Sequence, residues 1–415
     1  MEKETGLCYD LPGRQQLCFP GFSIKPYAGI QHDAVYRMAA RRREHRINFS
    51  GVRGLKKELA VKITAVILVF LLAVSLSSCG GEKISRYEAQ FINLFDTLTT
   101  IVAYTDSREE FTRQAELIRG KLEEYHRLYD IYNDYEGINN IKTINDKAGI
   151  SPVKVDRRII DLIDYARTWY EKTDGRINIA MGAVLKIWHD YRKAGAENPE
   201  EAKLPPIDKL KDASQHMDFS KVIVDREAST VFLQDPEMRL DVGAIAKGYA
   251  VEQVAGIAER NGFTSGLISV GGNVRAIGAK VSKVAKDKDL TPWSVGIKNP
   301  FNDEKKPELH ILNLVDMSLV TSGSYERYYT VDGKNYHHII NPETLYPSEY
   351  FVAVSIVCKD SGMADALSTA VLNMPYEQGL KFIESLPGVE AMWVMPDGSQ
   401  LYSSHFMDFI KRPER

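Results

Sequence analysis

Asp365 and Thr369 stand four residues apart in Ala364-Asp-Ala-Leu-Ser-Thr-Ala370. On a helix, both side-chain oxygens would project from one face. A single carboxylate beside a hydroxyl suits a hard cation such as Mg²⁺, which takes few protein carboxylates and leaves positions for phosphate oxygens. A plain helix start with an acid in its first turn fits the same residues. A second group lies in Leu240–Gly278. There Asp241 closes a short apolar run, small residues follow, and Lys247 comes six positions later. A helix opening here would offer unpaired N–H groups to an anion, and the lysine adds a point charge suited to phosphate. The helix would end at Asn261-Gly262. An apolar strand, Gly266–Val270, then runs into Gly271-Gly272-Asn273, where a backbone can approach a ligand closely. An ordinary helix between two strands would also satisfy that stretch. A third group is the pair His337-His338, ahead of Ile339-Ile340-Asn341-Pro342. Histidine suits proton removal near neutrality. Adjacent residues on a strand face opposite ways, so only one of the two could serve a given cleft.

The elements that must carry these groups follow from periodicity. Phe91–Tyr104 is rich in β-branched and aromatic residues and reads as one long strand. Ser107–Asn133 places Phe111, Ala115, Ile118, Leu122, Tyr125 and Tyr129 three or four apart, an amphipathic helix whose aromatics belong to the core. Asn133–Ser151 is polar and turn-rich. Asp156–Thr173 is a second amphipathic helix, broken by Asp174-Gly175. Glu197–Asp218, with two prolines, reads as a surface excursion. Phe219–Asp225 and Thr230–Leu233 read as a hairpin, and Trp293–Ile297, Leu309–Val315 and Tyr350–Cys358 as strands. Helices cluster early and strands late, so the fold class is α+β: one catalytic unit of two intimate lobes, with mixed or antiparallel sheets and flanking helices.

Charge divides the chain. The first 79 residues carry 12 Lys/Arg against 6 Asp/Glu, a net of +6; the whole chain is −3, so residues 80–415 carry −9. An acidic body argues against nucleic acid as a partner. The most hydrophobic stretch, residues 63–76, follows Arg53, Lys56, Lys57 and Lys62. At about 14 residues it falls short of a spanning helix and suits the h-region of a signal peptide. Leu76-Ser77-Ser78-Cys79 directly behind it resembles a bacterial lipobox, in which Cys79 is lipidated and becomes the new N-terminus. Residues 1–78 then form a leader, 79–90 a tether, and 91–415 the catalytic domain. Cys8 and Cys18 fall in the leader, so no disulfide framework remains downstream.

Several segments together resemble the ApbE family of flavin transferases. They are Leu240–Gly278; Phe95-Asp96-Thr97 in place of the family's Met-Gly-Thr; Ile177-Asn178-Ile179-Ala180-Met181-Gly182 running to Trp188; Thr321-Ser322-Gly323-Ser-Tyr-Glu-Arg327; and His338-Ile-Ile-Asn-Pro342. The resemblance covers the chain from about Phe91 onward. It implies an ApbE-like fold with FAD in a cleft between two lobes, and transfer of FMN from FAD to a threonine of an acceptor protein, with release of AMP. That acceptor would be a membrane redox-pump subunit or an extracytoplasmic flavoprotein. The resemblance further implies Mg²⁺ held by Asp365, Thr369 and the Ala244 carbonyl. FAD would contact Asp241, Lys247, Ile177, Asn178, Gly271, Gly272, Ser322 and Gly323, and His338 would act as general base. Asn178 and Ala180 replace the family's acid and threonine, and Leu345 stands where a glycine is usual. Two other activities fit the same residues: an FAD pyrophosphatase giving FMN and AMP, and a lipid-anchored flavin-binding protein without turnover. The address implied is the extracytoplasmic face of a bacterial membrane.

Overall fold

The computed structural model describes residues 23–24, 84–281, 290–301 and 303–412. The h-region, the lipobox with Cys79 and nearly all of the lysine-rich 281–290 loop lie outside the described residues. The chain begins with strands β1 (Ser23–Ile24), β2 (Ser85–Leu94) and β3 (Thr97–Thr105). Then come α1 (Arg108–Tyr129), α2 (Ile141–Asp146), β4 (Val153–Lys154), α3 (Arg157–Lys172), α4 (Gly182–Glu197) and α5 (Ile207–Ser214). The middle holds β5 (Val222–Asp225), β6 (Thr230–Leu233), α6 (Ala246–Arg260), β7 (Gly266–Val270), β8 (Asn273–Ile277), β9 (Lys280–Val281) and β10 (Leu290–Thr291). It continues with β11 (Trp293–Lys298), β12 (Glu308–Leu314), β13 (Ser318–Gly323), β14 (Tyr328–Val331), β15 (Lys334–His337) and β16 (Ala353–Cys358). Helices α7 (Ser361–Leu372) and α8 (Tyr376–Glu384) and strands β17 (Glu390–Val394) and β18 (Gln400–Tyr402) complete it.

Nine of these strands form one sheet in the order β1-β2-β3-β7-β8-β13-β16-β17-β18, with every neighbouring pair antiparallel. The period of two sorts its side chains between two cores. Ile101, Ile268, Val320 and Ile356 face the helices, where they join Ile118 and Leu122 of α1, Val254 of α6 and Leu367 of α7. Val102, Leu319 and Val357 point the other way, beneath Trp293, Leu312 and Leu314 of the β11–β12 ribbon and Phe406. β16 is buried along its whole length, as its unbroken run Ala-Val-Ser-Ile-Val-Cys requires. A third, smaller core joins Val184 and Trp188 of α4, Leu210 of α5, Tyr329 and Val331 of β14, Ile340 and Leu345. This separate core is the second lobe, and the α+β class holds with one large antiparallel sheet. Trp188 fixes that lobe by donating its indole N–H to the Leu345 carbonyl at 2.8 Å.

Three sequence expectations give way. Phe91–Tyr104 is not one strand but the end of β2, a two-residue turn and β3. The central residues Phe95 and Asp96 have φ of 53° and 52°, values that Asn-Gly would normally advertise. Asn133–Ser151 contains α2, with a capping box on Asn140 and with Ile141 and Ile144 in the core. Glu197–Asp218 contains α5, whose Leu210 is fully buried in the small lobe, so this segment is not a mere excursion.

Candidate active site

α7 starts at the N-cap Asp360, whose side chain accepts the Met363 N–H. Asp365 then lies one turn in, only 3% exposed, with Thr369 a turn further along the same face. A buried carboxylate requires partners, and the start of α6 provides them. No side chain caps α6 at Ile245. Instead the Gly248 N–H donates to Asp365 Oδ2 at 2.8 Å, while Lys247 Nζ stands 3.6 Å from Oδ1. Gly248 is the third residue of α6, so its N–H is one of those at a helix start that have no partner within the helix. Asp365 caps that donor, and among the described residues no N–H takes up the Ala244 oxygen. The two helices can come this close because residue 248 is glycine. A Cβ there would lie 2.3 Å from the Ser361 carbonyl and 2.4 Å from the Asp365 Cβ.

Asp365, Thr369 and the free Ala244 carbonyl therefore supply a carboxylate, a hydroxyl and a carbonyl, all hard oxygen donors suited to Mg²⁺. Among the described residues no three His, Cys, Asp or Glu side chains gather as a metal cluster. Ser322 of β13 adjoins this set, with its hydroxyl 2.8 Å from Ser368 Oγ and 3.5 Å from Thr369 Oγ1. Gly323 is buried next to it, and a Cβ there would strike the Tyr325 ring at 2.3 Å.

Asp241 is placed by a short parallel contact. Its N–H donates to the Ile179 carbonyl at 2.8 Å, and the Gly182 N–H donates to the Arg239 carbonyl at 3.0 Å. Burial raises the Asp241 carboxyl above the ordinary range, against the Gly243 N–H that it accepts at 2.9 Å and the pull of His189 and Arg192. Ile177 and Asn178 do not bring side chains to the cleft. Ile177 is 1% exposed within the core. The Asn178 amide donates to the Met217 carbonyl at 2.9 Å and accepts the Ala180 N–H at 2.9 Å, so it fixes the turn around Ile179, whose carbonyl takes the Asp241 N–H.

The opposite wall comes from the small lobe. β15 ends at His337, and His338 is the first residue past it. His337 is buried, donating from Nε2 to the Ser348 carbonyl at 2.6 Å and accepting the Ile339 N–H on Nδ1 at 3.2 Å. Both of its nitrogens are committed to structure. His338 is half-buried, and Nδ1 lies 3.2 Å from the Arg327 carbonyl, an acceptor only. The proton therefore sits on Nδ1, and Nε2 carries a free lone pair. Burial, then the guanidinium groups of Arg192 and Arg327, push this imidazole down to about 3.

Three residues that no motif singled out, Tyr132, His189 and Arg192, complete the cleft together with Arg327, the last residue of the Thr321–Arg327 segment. Four charges from separate segments act on the Tyr132 hydroxyl, namely Asp241, Arg192, Asp96 and Arg327. The Tyr132 ring lies 5.2 Å from the His189 ring at 33°, and 52% of the residue is exposed, leaving an aromatic face for a planar ligand. A groove of about 240 Å³ runs between His189, Arg192 and Lys193 on α4 and Glu326–Tyr328. Among the described residues no carboxylate pairs with Arg192 or Arg327, whose charges stand ready for an anion. A signal for the first pair existed: His189 and Arg192 are three apart and share a helix face. Gly271 and Gly272 border the cleft from the sheet, with φ of 54° and 91°. A Cβ on Gly271 would meet Thr97 Oγ1 at 2.6 Å, whereas one on Gly272 would meet nothing within 4 Å. Gly272 thus leaves its backbone open to approach.

A fold of this kind, with a one-carboxylate oxygen site and two guanidinium groups that lack carboxylate partners among the described residues, has the chemistry to take phosphate-bearing ligands. A model of the ApbE family matches residues 95–393. The FAD:protein FMN transferase of Treponema pallidum is 33% identical over 356 residues, covering 83% of this chain and 94% of that protein. The FAD:protein FMN transferase of Klebsiella pneumoniae is 30% identical over 286 residues, covering 67% and 84%. Among solved structures, the ApbE protein of Thermotoga maritima superposes with a TM-score of 0.68 at 29% identity, covering 79% of this chain and 100% of that chain. The flavin transferase ApbE of Vibrio cholerae shares the fold, with a TM-score of 0.63 at 22% identity, covering 79% and 99%. The chain belongs to the ApbE family.

Proposed function

We propose that this protein is an FAD:protein FMN transferase, that it works with Mg²⁺, and that its acceptor group is a threonine hydroxyl. The observation that carries the reading is the buried Asp365 carboxylate, which takes the Gly248 N–H beside Lys247 and lies one helical turn from Thr369. Asp365, Thr369 and the Ala244 carbonyl would hold the ion, which neutralises pyrophosphate charge when bound. Lys247, Arg192 and Arg327 attract the phosphates, and the exposed face of Tyr132 offers a stacking surface to a ring of the dinucleotide. The acceptor Oγ attacks the FMN phosphorus. Its proton goes to His338 Nε2, the phosphorus–oxygen bond to the AMP phosphate breaks, and AMP departs with the bridging oxygen. The Nδ1–H bond to the Arg327 carbonyl holds His338 in the tautomer this step needs.

The test incubates the soluble domain with FAD and Mg²⁺, with and without an acceptor flavoprotein subunit, and weighs the products. A mass increase of one FMN on the acceptor, with AMP in solution, is expected. FMN and AMP produced equally without acceptor would make the protein a pyrophosphatase, and bound but intact FAD would make it a carrier. We further place the mature protein on the extracytoplasmic face of a bacterial membrane, anchored through lipidated Cys79. Two or more acyl chains give stable anchoring where one gives marginal binding. Cys79→Ala should free the protein from membranes with its activity intact, and continued membrane association would remove the anchor from the account.

A further inference from the structure

The Phe95–Asp96 turn joins β2 to β3 with two non-glycine residues in the left-handed region. Such a turn persists only where its surroundings over-determine it, and strained turns of this kind cluster at working sites. Two clamps hold it. On one side an Arg327 Nη donates to the Asp96 carbonyl at 3.2 Å. On the other, the Phe95 N–H donates to Nδ1 of His126, a residue of α1 that no motif marks and the transfer step does not use, at 3.2 Å. The Phe95 ring meets the same imidazole edge-on, with centroids 5.5 Å apart.

Because Nδ1 accepts, the neutral imidazole carries its proton on Nε2, which lies 3.4 Å from the Tyr135 hydroxyl. Tyr135 in turn donates to Asp130 Oδ2 at 2.7 Å. Asp130 accepts the backbone N–H groups of Tyr132 at 2.6 Å and Asn133 at 3.0 Å, and the Asn133 amide at 3.0 Å. Burial alone would raise the Asp130 carboxyl, but these hydrogen bonds outweigh it and hold it below the usual range. All the bonds of this chain run in one sense, from the Phe95 N–H through His126 and Tyr135 to the carboxylate that fixes the loop bearing Tyr132. The other charged group over Tyr135 is Arg127, 5.7 Å from its ring centroid and paired with Glu123.

We propose that His126 is a positioning residue for the dinucleotide, tying the β2–β3 turn to the Tyr132 loop so that these two walls of the cleft keep one spacing. The proposal rests on the reading of the cleft as an FAD site. Tyr132 touches the ligand before and during reaction alike, so loosening it removes uniform binding and appears in affinity rather than in turnover. His126→Asn keeps an acceptor near Nδ1 for the Phe95 N–H but loses the reach to Tyr135. Tyr135→Phe removes only the hydroxyl that links the ring to Asp130. His126→Leu removes both ends.

The experiment measures the Kd for FAD by flavin fluorescence, and kcat and KM for FMN transfer, in the full chain and in each variant. We expect His126→Leu to weaken FAD binding about tenfold, with kcat within about twofold. His126→Asn and Tyr135→Phe should each weaken it about three- to fivefold, and the double variant no more than either, as for two links of one chain. Unchanged Kd in Tyr135→Phe, effects that multiply in the double variant, or a loss confined to kcat would each overturn the proposal. Tyr135→Phe keeps the packing of the ring, so its result stands even if a His126 variant folds poorly. A wild-type protein that binds FAD without transferring FMN would defeat the transferase reading, while the Kd series would still decide the role of His126.

Discussion

The two walls of the cleft are made in opposite ways. On the sheet side, α6 and α7 cross at a glycine, Asp365 is all but sealed from solvent, and its carboxylate caps an unpartnered N–H at the start of α6. On the small-lobe side, His338 stands past the end of a two-stranded ribbon, and Arg327 and Tyr328 are exposed. Arg192 and Arg327 have no carboxylate partners among the described residues. The first wall is fixed by packing at near-crystalline density and tolerates almost no change of volume. The second is held by a few hydrogen bonds and uncompensated charge, so an arriving anion can alter its electrostatics. The contrast assigns geometry to one side and adaptability to the other, as suits a reaction whose second substrate is a whole protein.

The largest expected effect breaks the packed wall. Asp365→Ala removes the only carboxylate of the oxygen set and should lower FMN transfer by about 10³-fold or more, the several kcal/mol a metal supplies. Some flavin should stay bound through Lys247, Asp241 and the Gly271-Gly272 turn. EDTA should mimic the loss, and full activity in either case would end the metal assignment. Next, His338→Asn should cost about 10²-fold in kcat, the usual range for a lost general base, with FAD binding kept. His337→Asn should leave transfer far less affected and instead lower stability by about 1–3 kcal/mol, since its two buried hydrogen bonds are structural. Equal or reversed losses in kcat would show that the wrong histidine had been chosen.

A smaller effect probes how tight the first wall is. Gly248→Ala should push α6 from α7, lower stability by about 1–3 kcal/mol in thermal unfolding, and weaken transfer through displaced Asp365. A variant as stable and active as the parent would show that the crossing can yield. The smallest effect concerns pH and the second wall. His338 is pushed down to about 3, so the base form persists from neutrality to below pH 5 and is lost only as pH approaches that value. The acid limb of kcat/KM, which reports the free enzyme, should therefore fall below pH 5 and not near 6.5. An anion between Arg192 and Arg327 offsets their pull, so the limb of kcat should lie at higher pH than that of kcat/KM. Coincident limbs near 6.5 would contradict the electrostatics described for this wall.

The residues of the packed wall were all named from the sequence, and those of the open wall only in part. Helical spacing puts Asp365 and Thr369 on one face, and Asp241 and Lys247 flank a helix start, but an ordinary helix fits each group equally and the resemblance decided between the readings. His338 was chosen over His337 by its place ahead of Ile339-Ile340-Asn341-Pro342 in the resemblance, since strand alternation says only that the two face opposite ways. Tyr132 escaped because it follows the end of α1 in a loop shaped by Asp130, and a carboxylate that gathers local N–H groups resembles any turn residue in sequence. The β2–β3 turn escaped for a sharper reason. Phe95-Asp96 has none of the composition of a two-residue hairpin, since its conformation is imposed by His126 and Arg327, at 31 and 231 residues' separation. Local signals cannot report a shape that distant groups enforce. Asn178 illustrates the converse, because a motif position was recognised while its amide serves the Met217 carbonyl and the Ala180 N–H.

The amide hydrogen of Gly248 is held by a side chain 117 residues away rather than by its own helix. Its exchange with deuterated solvent therefore depends on whether α7 stays docked and on where the Asp365 charge is directed. A ligand that draws the carboxylate toward itself would speed or slow that single exchange while its helical neighbours kept theirs, so one backbone position can serve as a clock for the loading of the site.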